Sequence, residues 1–130
     1  MTPTTLQALR RLLFFSVPEA AEHIGGVTER AWRFWESGKW PIPADVIERI
    51  NGMLAWRERA LAEAERAMID ARAAMAKRGG EEAAPPSITW YVSAAAWARA
   101  EPKHPEMWRP HCSVVADLCA RHDAEAVPSD

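Results

Sequence analysis

The chain has 130 residues, 48% of them hydrophobic, and a formal net charge of −2. This hydrophobic content excludes an intrinsically disordered chain, and the length suits one compact domain or a small head joined to a dimerisation segment. The slight negative charge argues against a protein that holds nucleic acid by bulk electrostatic attraction alone. Residues 1–60 nevertheless carry eight basic and seven acidic side chains, a charge of +1, whereas the remainder carries −3.

The sequence has no pattern typical of export or membrane insertion. The apolar run at residues 12–15 is too short for the core of a signal peptide, and no run approaches the roughly 20 apolar residues of a membrane span. Two cysteines in such a chain indicate reduced thiols. We therefore expect a cytoplasmic protein without a membrane partner.

Three short helices are predicted at the N-terminal end. Leucines at helical spacing indicate a first amphipathic helix over residues 5–15. Ser16, with a glutamate three residues later, forms a capping-box pattern that begins a second helix, which a pair of glycines ends. Thr28 is the expected N-cap of a third helix, which Gly38 ends. This order, with a glycine turn between the second and third helices, predicts a helix-turn-helix.

A single long helix is predicted over residues 43–77. Apolar residues recur there every seven positions, which is the spacing of a helix that packs along another helix. The recurring positions are Ile47, Leu54, Leu61, Met68 and Met75, and Arg57 interrupts a companion row. This face is about 45 Å long by helical rise. The head alone is too short to cover it, so the covering surface is either the rest of the chain or a second copy.

The C-terminal part is predicted to hold one short strand and two helices. The strand covers residues 88–92, and the helices lie around residues 93–100 and 110–122. A lone strand leaves backbone groups unpaired, and pairing with its two-fold mate would satisfy them. The strand is therefore a second indication of a dimer.

These patterns predict a mainly α fold in four parts. They are a helix-turn-helix head of the Cro-like type (1–43), a long connecting helix (44–78), a linker (79–87) and a small C-terminal dimerisation domain with one short strand (88–130). The residues predicted to form the dimer interface are Leu61, Met68, Ile88, Trp90 and Val92.

The third helix has two chemically different sides. On a wheel of ~100° per residue, Ala31, Trp32 and Trp35 lie together on the side that would pack into the head. The opposite side carries Arg30, Arg33, Phe34 and Ser37. Guanidinium groups can contact guanine and an apolar ring can contact the thymine methyl, which predicts base contacts from Arg30, Arg33 and Phe34 in a major groove. A plain solvated helix face is the alternative for the two arginines, but a large exposed ring favours a bound partner that covers it.

Seven further residues around this side are predicted to contact the DNA backbone, which positions a protein without specifying sequence. They are Arg10, Arg11, Thr28, Glu29, Ser37, Lys39 and Trp40.

Several segments together resemble the YdiL-like helix-turn-helix family, and within it the anti-CRISPR-associated transcriptional repressors. The resemblance is dense over residues 6–43, looser along the long helix, and weak but in order over residues 88–118. The segments are Leu6-Gln7-Ala8-Leu9-Arg10, Glu19-Ala20-Ala21-Glu22-His23-Ile24-Gly25, Trp32, Trp35-Glu36-Ser37-Gly38 and Pro43.

This resemblance implies a homodimeric repressor that acts on its own operon and is located at the bacterial nucleoid. Such a protein binds an inverted repeat in double-stranded DNA at the promoter of its own operon, often beside an anti-CRISPR gene in a phage or mobile element, and needs no cofactor. Arg30 falls where members of the family contact bases. Members carry amide and tyrosine-like side chains at the positions of Arg33 and Phe34, which implies a different operator sequence here.

Two other functions fit the sequence. One is an antitoxin or adaptor that binds a protein partner through the long helix and the C-terminal segment. The other is a regulator that also binds mRNA through the same basic side, because arginines can contact either phosphate backbone.

Catalysis and metal binding are not expected. The chain has no glycine-rich phosphate loop, nucleophile elbow or clustered acid–base set. Cys112 and Cys119, seven residues apart, would stand roughly 10 Å apart along one helix, too far for one zinc ion, and the nearby His111 and His122 do not change this.

Overall fold

A computed structural model describes residues 1–79 and 85–130. These residues are mainly helical with one small sheet, in agreement with the predicted mainly α fold. They form two compact units, Met1–Trp56 and Arg57–Asp130, called here the N-terminal and C-terminal units. The elements in chain order are α1 (Pro3–Leu12), α2 (Val17–Ala20), α3 (Glu29–Glu36), α4 (Ala44–Lys77), β1 (Ser87–Trp90), α5 (Ala94–Ala100), α6 (Trp108–His122) and β2 (Glu125–Pro128).

Side-chain caps begin the second and third helices where the sequence predicts them. The Ser16 hydroxyl accepts a hydrogen bond from the Glu19 backbone N–H at 3.3 Å, and the Glu19 carboxylate accepts one from the Ser16 N–H at 2.9 Å. α2 continues into a π-helical turn at Ala21–Gly25. The Thr28 hydroxyl accepts from the Ala31 N–H at 3.2 Å and so caps α3. These bonds satisfy backbone donors that the first turn of a helix leaves free.

Apolar side chains from all four N-terminal helices are buried in the N-terminal unit. The fully buried ones include Leu6, Leu13, Ile24, Trp32, Val46 and Ile50. Val46 and Ile50 belong to α4, and between them Arg49 Nη1 donates to the Ile24 carbonyl at 2.6 Å. The head therefore extends beyond the predicted boundary at residue 43 and includes the first turns of α4.

In the C-terminal unit, the chain's own C-terminal segment covers the heptad face of α4 at Leu61 and Met68, whereas Met75 stays exposed. The buried cluster consists of Leu61, Met68, Val114, Leu118 and Ala124, with Ile88 of β1 packed against it. Of the two coverings that the sequence left open, the rest of the chain supplies the one over Leu61 and Met68. These two residues thus lie in the core of one chain rather than at the predicted dimer interface, because their side chains already contact α6 and its neighbours. Ile88 is half-buried beside them.

Arg57, which interrupts the apolar pattern of α4, is buried with polar partners. Its Nε donates to the Ser113 hydroxyl at 2.9 Å, and its terminal nitrogen forms an ion pair with Asp117. The residue is only 6% exposed. A buried charge needs such a partner, since an unpaired one carries a large desolvation cost. α4 is therefore joined to α6 by a polar contact next to the apolar ones.

The predicted strand is present as β1, and it has a partner in the same chain. β1 pairs in parallel with β2, with Ser87 opposite Glu125 and Trp90 opposite Pro128. The sequence did not predict β2, whose four residues include a proline and a glutamate, both uncommon in strands. Since β1 is hydrogen-bonded within the chain, an unpaired strand is no longer an indication of a dimer.

Side chains of α6 occupy the other edge of β1. Glu125 and Ser129 donate their backbone N–H groups to the carbonyls of Pro86 and Trp90, so the alternate carbonyls, of Thr89 and Tyr91, point away from β2. Trp108 Nε1 donates to the Tyr91 carbonyl at 2.7 Å, and His111 Nε2 lies 3.0 Å from the Thr89 carbonyl oxygen. The His111 ring also stacks on Trp97, and burial lowers the pKa of His111 below its usual value. His111 is thus a structural residue that holds β1 against α6.

Most of the predicted linker, residues 79–87, lies outside the described residues. Trp90 is half-buried, and Val92 is 52% exposed. None of the helices in residues 1–79 and 85–130 combines the length and the apolar character needed to cross a bilayer.

We expect Leu118→Ala to lower the free energy of unfolding by about 2–5 kcal/mol, because it opens a cavity in the cluster with Leu61 and Met68. The matched control is Leu12→Ala on α1, since the same change there removes a leucine side chain that is 43% exposed. Its effect should stay within about 0.5 kcal/mol. Urea unfolding followed by circular dichroism measures both, and equal losses would contradict the burial of Leu118 against α4.

Candidate nucleic-acid interface

The turn before α3 packs closely against two buried tryptophans. A Cβ atom on Gly25 would lie 2.9 Å from Val27 Cγ2 and 3.0 Å from the Trp35 ring, so only glycine fits without a shift. Trp32 is fully buried, Trp35 is 5% exposed, and their rings meet edge to face with centroids 5.4 Å apart. This packing fixes the rotation of α3 about its own axis and turns the opposite side of the helix to solvent.

The solvent-facing side of α3 carries the predicted base-contacting residues. Arg30 and Arg33 are exposed and Phe34 is half-buried. Arg33 pairs with Glu29 at 2.7 Å, but the two side chains remain 62% and 46% exposed. An exposed pair one turn apart contributes about 0.5 kcal/mol or less, so a base edge or phosphate can displace it. Both guanidinium groups are therefore accessible to a ligand.

Phe34 is the centre of a group of four side chains, called here the Phe34 cluster: Arg30, Phe34, Lys39 and Trp40. Lys39 Nζ lies 4.3 Å and the guanidinium carbon of Arg30 5.3 Å from the centroid of the Phe34 ring. The centroid of the Trp40 ring lies 4.6 Å from that of Phe34, and the backbone N–H of Trp40 donates to the Phe34 carbonyl at 3.1 Å. The chain itself thus covers part of a ring that helical spacing alone predicts to be exposed. The ring alone no longer requires a bound partner, but it holds two cations beside the exposed side of α3.

Arg10 is buried rather than exposed to a phosphate. Its Nε donates to both oxygens of Glu36 at 3.2 and 3.1 Å, and its Nη1 donates to the Phe15 carbonyl at 3.0 Å. The residue is 8% exposed, so the predicted phosphate contact is not available to it in this arrangement. The reason lies in helical geometry: Arg10 follows Leu6 by four residues, about 40° away on the wheel, on the buried side of α1.

The other predicted phosphate-contacting residues remain at the surface. They are Arg11, Thr28, Glu29, Ser37, Lys39 and Trp40. The hydroxyl of Thr28 is used as the N-cap of α3, and that of Ser37 donates to the Phe34 carbonyl at 3.2 Å. These six residues surround the exposed side of α3 at both ends and on the α1 flank.

A cleft of about 420 Å³ opens beside α1 and α3. Its lining consists of Gln7, Arg10, Arg11, Val17, Arg33, Glu36 and Ser37. Arg11 and Arg33 are exposed, whereas the paired Arg10 and Glu36 are nearly buried. The cleft therefore brings a predicted phosphate contact on α1 next to a predicted base contact on α3.

The chain is similar to known proteins over most of its length. Residues 1–127 match the family described as Aca2/YdiL-like. The chain belongs to the Aca2/YdiL-like family. It is also similar to the Aca2 repressor of Pectobacterium phage ZF40, with 40% identity over 70 residues. The aligned segment spans 54% of this chain and 60% of that repressor's length. The resemblance inferred from the N-terminal segments is thus confirmed at the level of the family.

In this Aca2/YdiL-like chain, sequence reasoning missed Glu36 as a functional candidate. Its carboxylate accepts hydrogen bonds from Arg10 and from the indole N–H of Trp32, one turn earlier on α3. The signal was present in the spacing, because a residue four positions after a buried tryptophan lies on the same side of the helix. A carboxylate on that side needs a cation, and Arg10 lies on the buried side of α1.

We expect Gly25→Ala to lower the free energy of unfolding by about 1–3 kcal/mol, because its methyl group would overlap Val27 and Trp35. Gly52→Ala is the matched control, since Gly52 lies within α4 in the same unit and a Cβ there meets nothing within 4 Å. Replacing a helical glycine in open space should stabilise the protein by about 0.5–1 kcal/mol. Thermal and urea unfolding measure both changes, and a neutral Gly25→Ala would show that the turn is not closely packed.

Proposed function

We propose that this Aca2/YdiL-like protein is a sequence-specific transcriptional repressor that binds double-stranded DNA through the exposed side of α3. The observation that carries the proposal is one short helix with two buried tryptophans on one side and two accessible arginines on the other. Such a helix can enter a major groove with its arginines towards the base edges. The similarity to a phage repressor supports the same role.

Different parts of the surface make different contacts in this proposal. Arg30 and Arg33 each present a planar guanidinium that can donate two hydrogen bonds to the O6 and N7 atoms of guanine. Phe34 offers the free part of its ring to a thymine methyl. Lys39 and Arg11, at the two flanks, contact phosphates and fix the position of the protein on the duplex.

The DNA-binding form is a homodimer on an inverted repeat. One α3 from each copy then enters one of two successive major grooves about 34 Å apart. Support comes from the C-terminal unit, where several large apolar side chains stay at least two-fifths exposed within one chain. They are Ile69, Met75, Val92 and Val127. Of the residues predicted for the interface, Val92 is the one whose side chain is largely free.

Occupation of a promoter by such a dimer excludes the polymerase, so repression requires no cofactor and no enzymatic step. The operator lies in the promoter of the protein's own operon, next to an anti-CRISPR gene. Because repression depends on occupation of that operator, it falls as the protein is depleted. This regulation takes place in the cytoplasm, on the nucleoid or on phage DNA.

The test uses an operator that the wild-type protein itself selects from a random DNA library. We expect Arg30→Ala to weaken binding to that operator by about 1–3 kcal/mol per half-site, because a bidentate base contact is lost. Fluorescence anisotropy at a fixed salt concentration measures the affinity. Sedimentation equilibrium should show that the variant remains a dimer.

Arg99→Ala is the matched control, since Arg99 is an exposed arginine on α5 of the C-terminal unit. It should leave the operator affinity unchanged. Equal affinity of Arg30→Ala and wild type would contradict the assignment of α3, and a wild-type monomer on DNA would contradict the dimer. Preference for the transcript over the promoter duplex in the same series would favour regulation at the level of mRNA.

The proposed contact between the Phe34 ring and a thymine methyl can be tested on its own. Replacing the contacted thymine by uracil removes one methyl group and should weaken wild-type binding about fourfold, the equivalent of about 0.8 kcal/mol for one buried carbon. In Phe34→Ala the same replacement should have no further effect, because the ring that contacts the methyl is absent. Anisotropy titrations of two proteins with two duplexes form the cycle. Independent, additive effects would show that Phe34 does not touch a thymine.

A further inference from the structure

Arg10, Trp32 and Glu36 form a buried network, called here the α1–α3 clamp, that joins three parts of the N-terminal unit. Three hydrogen bonds run from Arg10 to the two oxygens of Glu36, at 3.0 to 3.2 Å. The indole N–H of Trp32 donates to the same carboxylate. Arg10 also donates to the carbonyl of Phe15, in the segment between α1 and α2. The last turn of α3 is thereby tied to α1 and to the loop after it.

The clamp is nearly shielded from water. The side chains of Arg10 and Glu36 are 9% and 10% exposed. A bidentate arginine–carboxylate pair fixes both distance and orientation, because the planar guanidinium donates two parallel bonds. α3 has only eight residues, and its N-terminal end is set by the turn at Gly25. The clamp sets the other end, so the two attachments together determine the direction of the helix axis.

The residues of the clamp are adjacent in sequence to residues that we propose to contact DNA. Arg11 follows Arg10 on α1, and Glu36 lies one turn after Arg33 on α3. All four line the same cleft. A change in the clamp therefore changes the spacing between a phosphate contact on one helix and a base contact on the other.

We propose that Arg10 and Glu36 are positioning residues that determine how well the protein discriminates its operator from other DNA. This inference rests on the proposed DNA binding. The two residues touch no base, but they hold α3 at the angle at which its arginines meet the base edges while Arg11 meets a phosphate. A binding site that is held loosely by its supporting residues loses specificity even when every contacting side chain is present.

Stability alone does not account for such a pair. Replacing both members of a buried ion pair by well-packed apolar side chains of similar volume often leaves stability unchanged or raises it. The double variant Arg10→Met/Glu36→Gln removes both charges at similar volume and keeps an amide oxygen for the Trp32 indole. The fold and the proposed positioning role can therefore be separated by experiment.

The matched control is Arg57→Met/Asp117→Asn, which removes a second buried arginine–carboxylate pair, in the C-terminal unit. Arg57 pairs with Asp117 and, like Arg10, also donates to a second acceptor, here the Ser113 hydroxyl. Its removal leaves the attachment of α3 to α1 and to the turn at Gly25 untouched. Circular dichroism and thermal unfolding check that both double variants are folded.

The measurement is the ratio of the dissociation constants for a scrambled duplex and for the operator selected by the wild type, together with the salt dependence of each. A partly unfolded sample weakens both affinities equally and leaves the ratio unchanged. We expect the clamp variant to lose roughly tenfold or more in this ratio, as when a base contact is lost, with an unchanged salt slope. The control should keep the wild-type ratio.

Three results would overturn the inference. One is a clamp variant with the wild-type ratio, and another is a control that loses as much. The third is a decrease of about one, for each Arg10 removed, in the steepness with which the logarithm of the affinity falls with the logarithm of the salt concentration. Such a decrease would mean a direct phosphate contact. If the double variant does not fold, Arg10→Lys keeps the charge without the bidentate geometry and must lower the ratio too. A wild-type ratio near one would refute the proposed function itself, which is a different outcome.

Discussion

The rotation of α3 about its axis is the constraint on which the candidate interface depends. Two tryptophans on one side of an eight-residue helix leave few arrangements that bury both rings, and Gly25 allows the turn to approach them. Once Trp32 and Trp35 are inside, Arg30 and Arg33 must face outward, because they lie on the opposite side of the same helix. The accessible guanidinium groups are thus a consequence of hydrophobic burial and not of any attraction between charges.

Local signals made the N-terminal elements predictable. The capping box at Ser16, the N-cap at Thr28 and the glycine stops each act within one turn of the chain, and the structure has the expected caps. The inward and outward sides of α3 followed from periodicity alone. Arg10 was misplaced for a different reason. Its position on the Leu6 side of α1 is visible in the spacing, whereas its charge alone predicts a place at the surface.

Contacts between distant segments could not be predicted from the sequence. The heptad pattern of α4 showed that a long apolar face needs a covering, but periodicity does not say whether another part of the chain or a second copy supplies it. Leu61 and Met68 are covered by Val114 and Leu118, some 50 residues later. β2 was missed for the same reason, since its strand character comes from the pairing with β1 and not from its own residues.

The side chains that α6 places along β1 also affect the behaviour of the protein at high concentration. An edge strand with free carbonyls and N–H groups is a template on which further chains can add, and this is a common route to fibres. Here the carbonyls of Thr89 and Tyr91 are occupied by His111 and Trp108. β2 ends at Pro128, which has no N–H to offer. These contacts and this proline leave fewer backbone groups of the small sheet free to pair with a further strand.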